Sequence, residues 1–265
     1  MKQLIYLFLL FPIYSAAQPN CYFYLHIGDT LQYKACIEAE RANEYYQFQR
    51  EFYEIIDNSI RIYPYFAYAY SAKSTAYLKS GDFLNWKKLI DKAVLYDPKT
   101  YLGSRAWCRF NFFRDYKGAI QDIEEFDSLL TYDIGFSING DYHLNITKAM
   151  CYSALNQKHK AIEIFTNQLN TEGYYAGLYD YYQLGVTYYQ IEDFENALKA
   201  FEKQGEYNEF ADNAYYKYKT HKILNNQAEY EHYKEIALKL FAENKRMFDI
   251  YAHHFNSVHF YIIDE

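Results

Sequence analysis

Three histidines, His253, His254 and His259, cluster near the C-terminus, with Asp264 and Glu265 behind them. Imidazole and carboxylate are zinc ligands, so residue type alone raises a metal here. The spacing argues otherwise: adjacent histidines on a helix point in different directions and no ligand pattern is recognisable. The expectation is a surface tail or cap, with no metal and no cofactor. A second candidate is Gly135-Phe136-Ser137-Ile138-Asn139-Gly140. A nucleophile elbow places one residue between the serine and each glycine, on a strand-to-helix turn. This run is one residue too long and follows a helix. Glu124 and Glu125 are neighbours on a helix and do not face each other, so they read as a solvated face rather than an acid/base pair. Neither His-Glu-x-x-His nor a phosphate-cradling G-x-x-x-x-G-K occurs. The protein is therefore expected to be no enzyme. A hydrolase using loop 134–141 or the histidine tail is the alternative.

Cysteine chemistry depends on compartment. The chain opens with MKQ, an apolar run LIYLFLLFPIY and the small residues Ser15-Ala16-Ala17, the order of a cleaved secretory signal over residues 1–17. Export makes disulfides possible. Cys21 and Cys36 form the candidate pair, which would tie segment 18–32 to the first helix and contribute up to roughly 3 kcal/mol. Cys108 and Cys151 fall within helical patterns and read as buried thiols. The apolar run stops short of the roughly 20 residues of a membrane span, so no integral membrane segment is expected after cleavage. The net charge is −7, near −8 once Lys2 is removed, and no Lys/Arg run occurs. That disfavours nucleic acid and anionic membranes as partners.

The elements that must position such groups are helices. Only four Pro and ten Gly interrupt the chain, which argues against a turn-rich β fold. In YYQLGVTYYQIEDFENALKAF, 181–201, Tyr181, Leu184, Gly185 and Tyr188 share one helix face. Asp193 is suited to cap the next helix, where Phe194, Ala197, Leu198 and Phe201 share a face. Small residues at 185 and 197 let the two antiparallel helices approach closely.

This stretch resembles a tetratricopeptide repeat, whose pattern sets an aromatic, Leu-Gly and Tyr on one helix and Ala then Phe on the next. Thirty-six residues earlier, Ala149, Tyr152, Ala161 and Phe165 align with Gly185, Tyr188, Ala197 and Phe201. Further copies carry Tyr70, Ser74, Tyr77, Ala93 and Pro98, then Phe110, Tyr116 and Ala119. A degenerate copy lies over 214–247. The resemblance covers 33–247 with an irregular insertion at 134–141, leaving 248–265 as a cap or tail. It implies an all-α, right-handed solenoid of antiparallel helix pairs, about five to six units forming a superhelix. Residue usage, with RAWCRFNFFRDYKGAI and GDFLNWKKLIDKAV, is similar to exported repeat proteins of the Bacteroidetes type, which implies a periplasmic or cell-surface location.

In this family the first helices line a concave groove. The equivalent groove positions here are Tyr68, Tyr101, His143, Tyr179 and Tyr215, with Tyr182 and Tyr218 in the last two units. Tyrosine combines a large apolar face with a polar tip and few rotors to freeze. The resemblance thus implies a scaffold binding a protein or peptide, or alternatively a glycan, along an aromatic row. With 34 Tyr in the chain, packing explains such a row equally. The chaperone-tail clamp of Lys, Asn and Arg is absent: Ser71, Thr75, Ser104, Cys108, Ile146 and Met150 stand there instead.

Overall fold

The computed structural model describes residues 19–259; the expected signal at 1–17, together with Asp264 and Glu265, lies outside them. The described chain is all-α, with an isolated antiparallel bridge between Phe136 and His143. It divides into two compact units, 1–89 and 90–265. The sequence reading took 33–247 as a single repeat domain.

The first unit holds α1 (Cys21–His26), α2 (Thr30–Glu40), a 3₁₀ turn (Arg41–Glu44), α3 (Arg50–Ile62) and α4 (Ala67–Ser80). The expected limit at 32/33 falls inside α2. Cys21 on α1 and Cys36 on α2 are joined by a disulfide, their Cα atoms 5.4 Å apart. Around it pack Ala35, Ala39, Phe52, Ile56, Phe66 and Ala69, all buried. Ser59 of α3 donates to the carbonyl of Ala35 at 2.7 Å, satisfying a buried hydroxyl in the α2–α3 contact.

The unit boundary lies within α5 (Phe83–Tyr96). The second unit continues with α6 (Pro98–Asn111), α7 (Tyr116–Leu129), α8 (Leu144–Ala154), α9 (Lys158–Leu169), α10 (Asp180–Tyr189), α11 (Phe194–Tyr207), α12 (Ala211–Ile223) and α13 (Gln227–Ala242). Each of α6/α7, α8/α9, α10/α11 and α12/α13 packs as a pair.

Two local devices recur. Aspartates cap helix starts: Asp97, Asp115 and Asp193 accept from the amides of Thr100, Gly118 and Asn196, satisfying donors a helix N-terminus leaves free. A left-handed residue then turns the chain after the first helix of each pair: Arg114, Asn156, Glu192 and Asn225 have φ of 54°, 61°, 64° and 55°. Gly81, after α4, has φ of 79°.

The expected close approach at Gly185 is present. A Cβ there would lie 2.5 Å from the ring of Phe201, itself fully buried. Cys108 and Cys151 are buried free thiols. Burial pushes the Cys108 thiol up to about 12 and that of Cys151 upward likewise, so both behave as small hydrophobes. Arg105 of α6 joins three helices, donating to both carboxylate oxygens of buried Asp122 on α7 (2.9 and 2.8 Å) and to Asp91 on α5 (2.9 Å).

Candidate functional site

The loop before α8 carries the serine and the first histidine singled out in the sequence. Ser137 is buried; its hydroxyl donates to Asn139 Oδ1 at 2.8 Å and accepts from the Tyr142 amide at 3.3 Å. A nucleophilic serine needs a base within hydrogen-bond reach, and these contacts are loop closure instead. His143 is fully buried. Its Nδ1 accepts from the Asn145 amide at 3.1 Å, which places the proton on Nε2, facing the Asp133 carboxylate at 3.0 Å. The residue caps α8 and presents no free edge to a ligand.

The rest of the tyrosine row is distributed by burial. Tyr182, Tyr215 and Tyr218 are buried. Tyr215 and Tyr218 pack on each other, ring centroids 5.1 Å apart, and Tyr218 on Tyr230 of α13 at 5.8 Å. Tyr179 is half-buried among Tyr142, Phe210 and His254. Tyr101 is half-buried on α6. Tyr68 belongs to the first unit, beside Phe66. Within the second unit the row is thus no exposed ladder of ring faces. His143, Tyr215 and Tyr218 are packed into helix contacts, while Tyr182 lies beneath another segment of the chain.

That segment is 245–259. After α13 it runs without helix back over α12, α10 and the end of α6. Its main chain is gripped by side chains. Asp212, buried at the start of α12, accepts from the amides of Met247 (3.1 Å) and Val258 (2.6 Å). The Tyr182 hydroxyl donates to the carbonyl of Asn256 at 2.6 Å. Gln183 donates to the Phe255 carbonyl at 2.9 Å and accepts from the Asn256 amide side chain at 2.8 Å. Arg114 donates to the carbonyl of His253. Burial raises the Asp212 carboxyl, and the two amides draw it partly back. Apolar anchoring comes from Phe255, whose ring lies 5.8 Å from Phe110 and 6.1 Å from Tyr116, and from Met247, buried with Tyr182, Phe201 and Phe210. The expected tail limit at 247/248 thus falls within this docked segment.

Sequence reasoning missed Asp212, Gln183 and Arg114. For Asp212 and Gln183 the signal is a polar side chain on the inward face of an otherwise apolar repeat, at positions the repeat pattern leaves unspecified, whereas Arg114 sits in the turn after α6 and carries no such signal.

Where the docked segment passes the loop before α8, a pocket of about 460 Å³ opens, lined by Asn139, Asp141, Tyr179, Asp249, Tyr251 and His254 among others. Donor atoms of Asp141, Asp249 and His254 lie within 4.8 Å of one another. The three C-terminal histidines therefore part company. His254 is buried in the pocket wall, while His253 and His259 are exposed, with ring centroids 5.5 Å apart.

Residues 67–100 and 181–209 match the family described as tetratricopeptide repeat. Comparison with curated proteins finds no match. Among solved structures, the chain is similar to PilW, described as a widely conserved type IV pilus biogenesis factor, with TM-score 0.62, 16% identity and coverage of 79% of this chain and 94% of that one. It is also similar to PilF of Pseudomonas aeruginosa, with TM-score 0.57, 13% identity and coverage of 84% and 89%. A third is YrrB, described as a tetratricopeptide repeat protein with an unusual peptide-binding site, with TM-score 0.50, 17% identity and coverage of 69% and 90%. These likenesses establish the all-α helix-pair solenoid fold. Among the described residues no helix is long and apolar enough to cross a membrane.

Proposed function

We propose that this chain is a non-enzymatic, exported repeat scaffold that binds an extended segment of a partner protein on the face formed by α6, α10 and α12, in the periplasm or at the cell surface. The observation that carries this reading is the occupant already there. An irregular stretch of the same chain lies on that face, held chiefly through its carbonyls and amides. Side chains that grip a main chain accept many guest sequences, and apolar sockets such as that of Phe255 then select among them. The Cys21–Cys36 disulfide supports export, because such bonds persist in oxidising compartments. At 13–17% identity the structural neighbours contribute the fold alone, so the partner is described here by its chemistry.

The test loosens the resident segment and offers it back. Phe255→Ala with Asn256→Ala removes its ring anchor and its side-chain contact to Gln183. A fluorescent peptide of residues 245–259 should then bind saturably to that variant, measured by polarisation, and only weakly to the wild-type chain. Adding Gln183→Ala should weaken binding about tenfold, the worth of roughly one buried hydrogen bond. No binding by the loosened variant, with its helical circular dichroism intact, would overturn the reading.

A further inference from the structure

We propose that Asp141, Asp249 and His254 form a divalent transition-metal site, of the zinc or manganese class, which fastens the docked segment 245–259 to the loop before α8. The assignment stands whether or not the repeat face binds a partner in trans.

Three observations carry it. The first is convergence: one ligand comes from the loop and two from the docked segment, and their donor atoms lie within 4.8 Å of each other. A cation about 2.0–2.2 Å from each donor would require them roughly 3–3.5 Å apart, a difference that side-chain rotation closes. The second is His254. Its side chain belongs to a residue only 8% exposed, lines the pocket, and makes no ring-nitrogen hydrogen bond among the described residues. No His254 atom is among the fully buried unpaired ones, so the ring nitrogens keep access to the pocket, where a coordinated cation is a partner this ring can take. The third is charge. Asp141 and Asp249 face one another, and no Lys or Arg forms an ion pair with either among the described residues. One oxygen of Asp249 accepts from the amides of Tyr251 and Ala252, which holds the carboxylate in place and leaves its other oxygen for a metal.

Two carboxylates and one imidazole form a mixed hard and borderline donor set. That set suits zinc or manganese better than the all-oxygen cages of calcium and magnesium or the thiolate sites of copper(I). Three protein ligands leave further positions open to water within the pocket. The cation would cross-link two parts of the chain far apart in sequence, so metal occupancy would set how firmly the segment stays docked.

The experiment uses the full chain, stripped with chelator and titrated calorimetrically with zinc chloride and, separately, manganese chloride. The expected result is saturable binding of one equivalent, with amide exchange across 247–258 slowed in the loaded protein. His254→Gln, Asp249→Asn and Asp141→Asn should each weaken binding about tenfold or more, while His253→Ala with His259→Ala should leave it within about twofold. Asp141→Asn lies outside the docked segment and reports on the site even if changes within the segment disturb docking. Absence of saturable binding to the wild-type chain would overturn the proposal. So would binding that survives all three ligand substitutions, or binding lost only in the His253/His259 variant, which would place the metal on the surface histidines.

Discussion

The two ends of the described chain solve one problem in different ways. A stack of helix pairs leaves an open face at each end, and chain termini fray unless tied down. At the N-terminal end the tie is covalent, with α1 bonded to α2 through Cys21 and Cys36 over a small apolar cluster. At the C-terminal end it is a set of separable contacts: Asp212, Tyr182, Gln183 and Arg114 on main-chain groups, with Phe255 and Met247 in apolar sockets. The covalent tie cannot be exchanged for another chain. The other can be undone one contact at a time, and each of its contacts could be made equally by a guest.

The comparison is broken most severely from between the ends. Arg105→Ala strips buried Asp122 of its bidentate partner and removes one contact of Asp91, leaving Asp122 the 3.2 Å contact from Arg109. Removing one partner of a buried ion pair typically costs about 3–5 kcal/mol, at or above the contribution of the disulfide. Urea unfolding monitored by tryptophan fluorescence should therefore show the larger loss for this interior change. A loss smaller than that of the disulfide would mean the ends govern stability.

Next in size is the disulfide. Cys21→Ser with Cys36→Ser should remove about 3 kcal/mol, felt within residues 19–89. Amide exchange by mass spectrometry should show faster exchange through α1–α3 and an unchanged pattern in α8–α11. Equal loosening in both regions would contradict the local character assigned to this tie.

The smallest effect sharpens the contrast. Burial already penalises the Asp212 carboxylate, so Asp212→Ala, which releases the Met247 and Val258 amides, should cost about 2 kcal/mol in all. Exchange at those two amides should rise steeply while α10 and α11 keep their protection. A global drop in melting temperature with no selective rise at 247 and 258 would make the segment an integral part of the core instead of a removable occupant.

Much of the fold was legible because its causes are local. Leu184-Gly185 and Ala197…Phe201 mark a close helix crossing, and the ring of Phe201 does fill the space a Cβ at 185 would need. Asp193 caps α11, as its type and place require. The candidate site was less legible because its causes are distant. Nothing near Asp212 in sequence reveals that the amides of Met247 and Val258 will meet it. Nothing near Asp141 reveals that Asp249 and His254 will arrive beside it. Tyrosine added its own ambiguity: the same ring that can stack on a ligand also fills a helix interface, and only burial separates Tyr215 and Tyr218 from Tyr179.

The left-handed residues described above have a wider consequence. From Arg114 to Asn225 the turn inside each pair uses one backbone solution and spans three or four residues, whereas the links between pairs range from 208–210 to the whole of 130–143. Length variation is thus confined to the joints between pairs, and the pair itself is the unit a lineage can duplicate, delete or exchange. Novelty in such a chain accumulates at the joints, and the longest of them is the one that supplies Asp141.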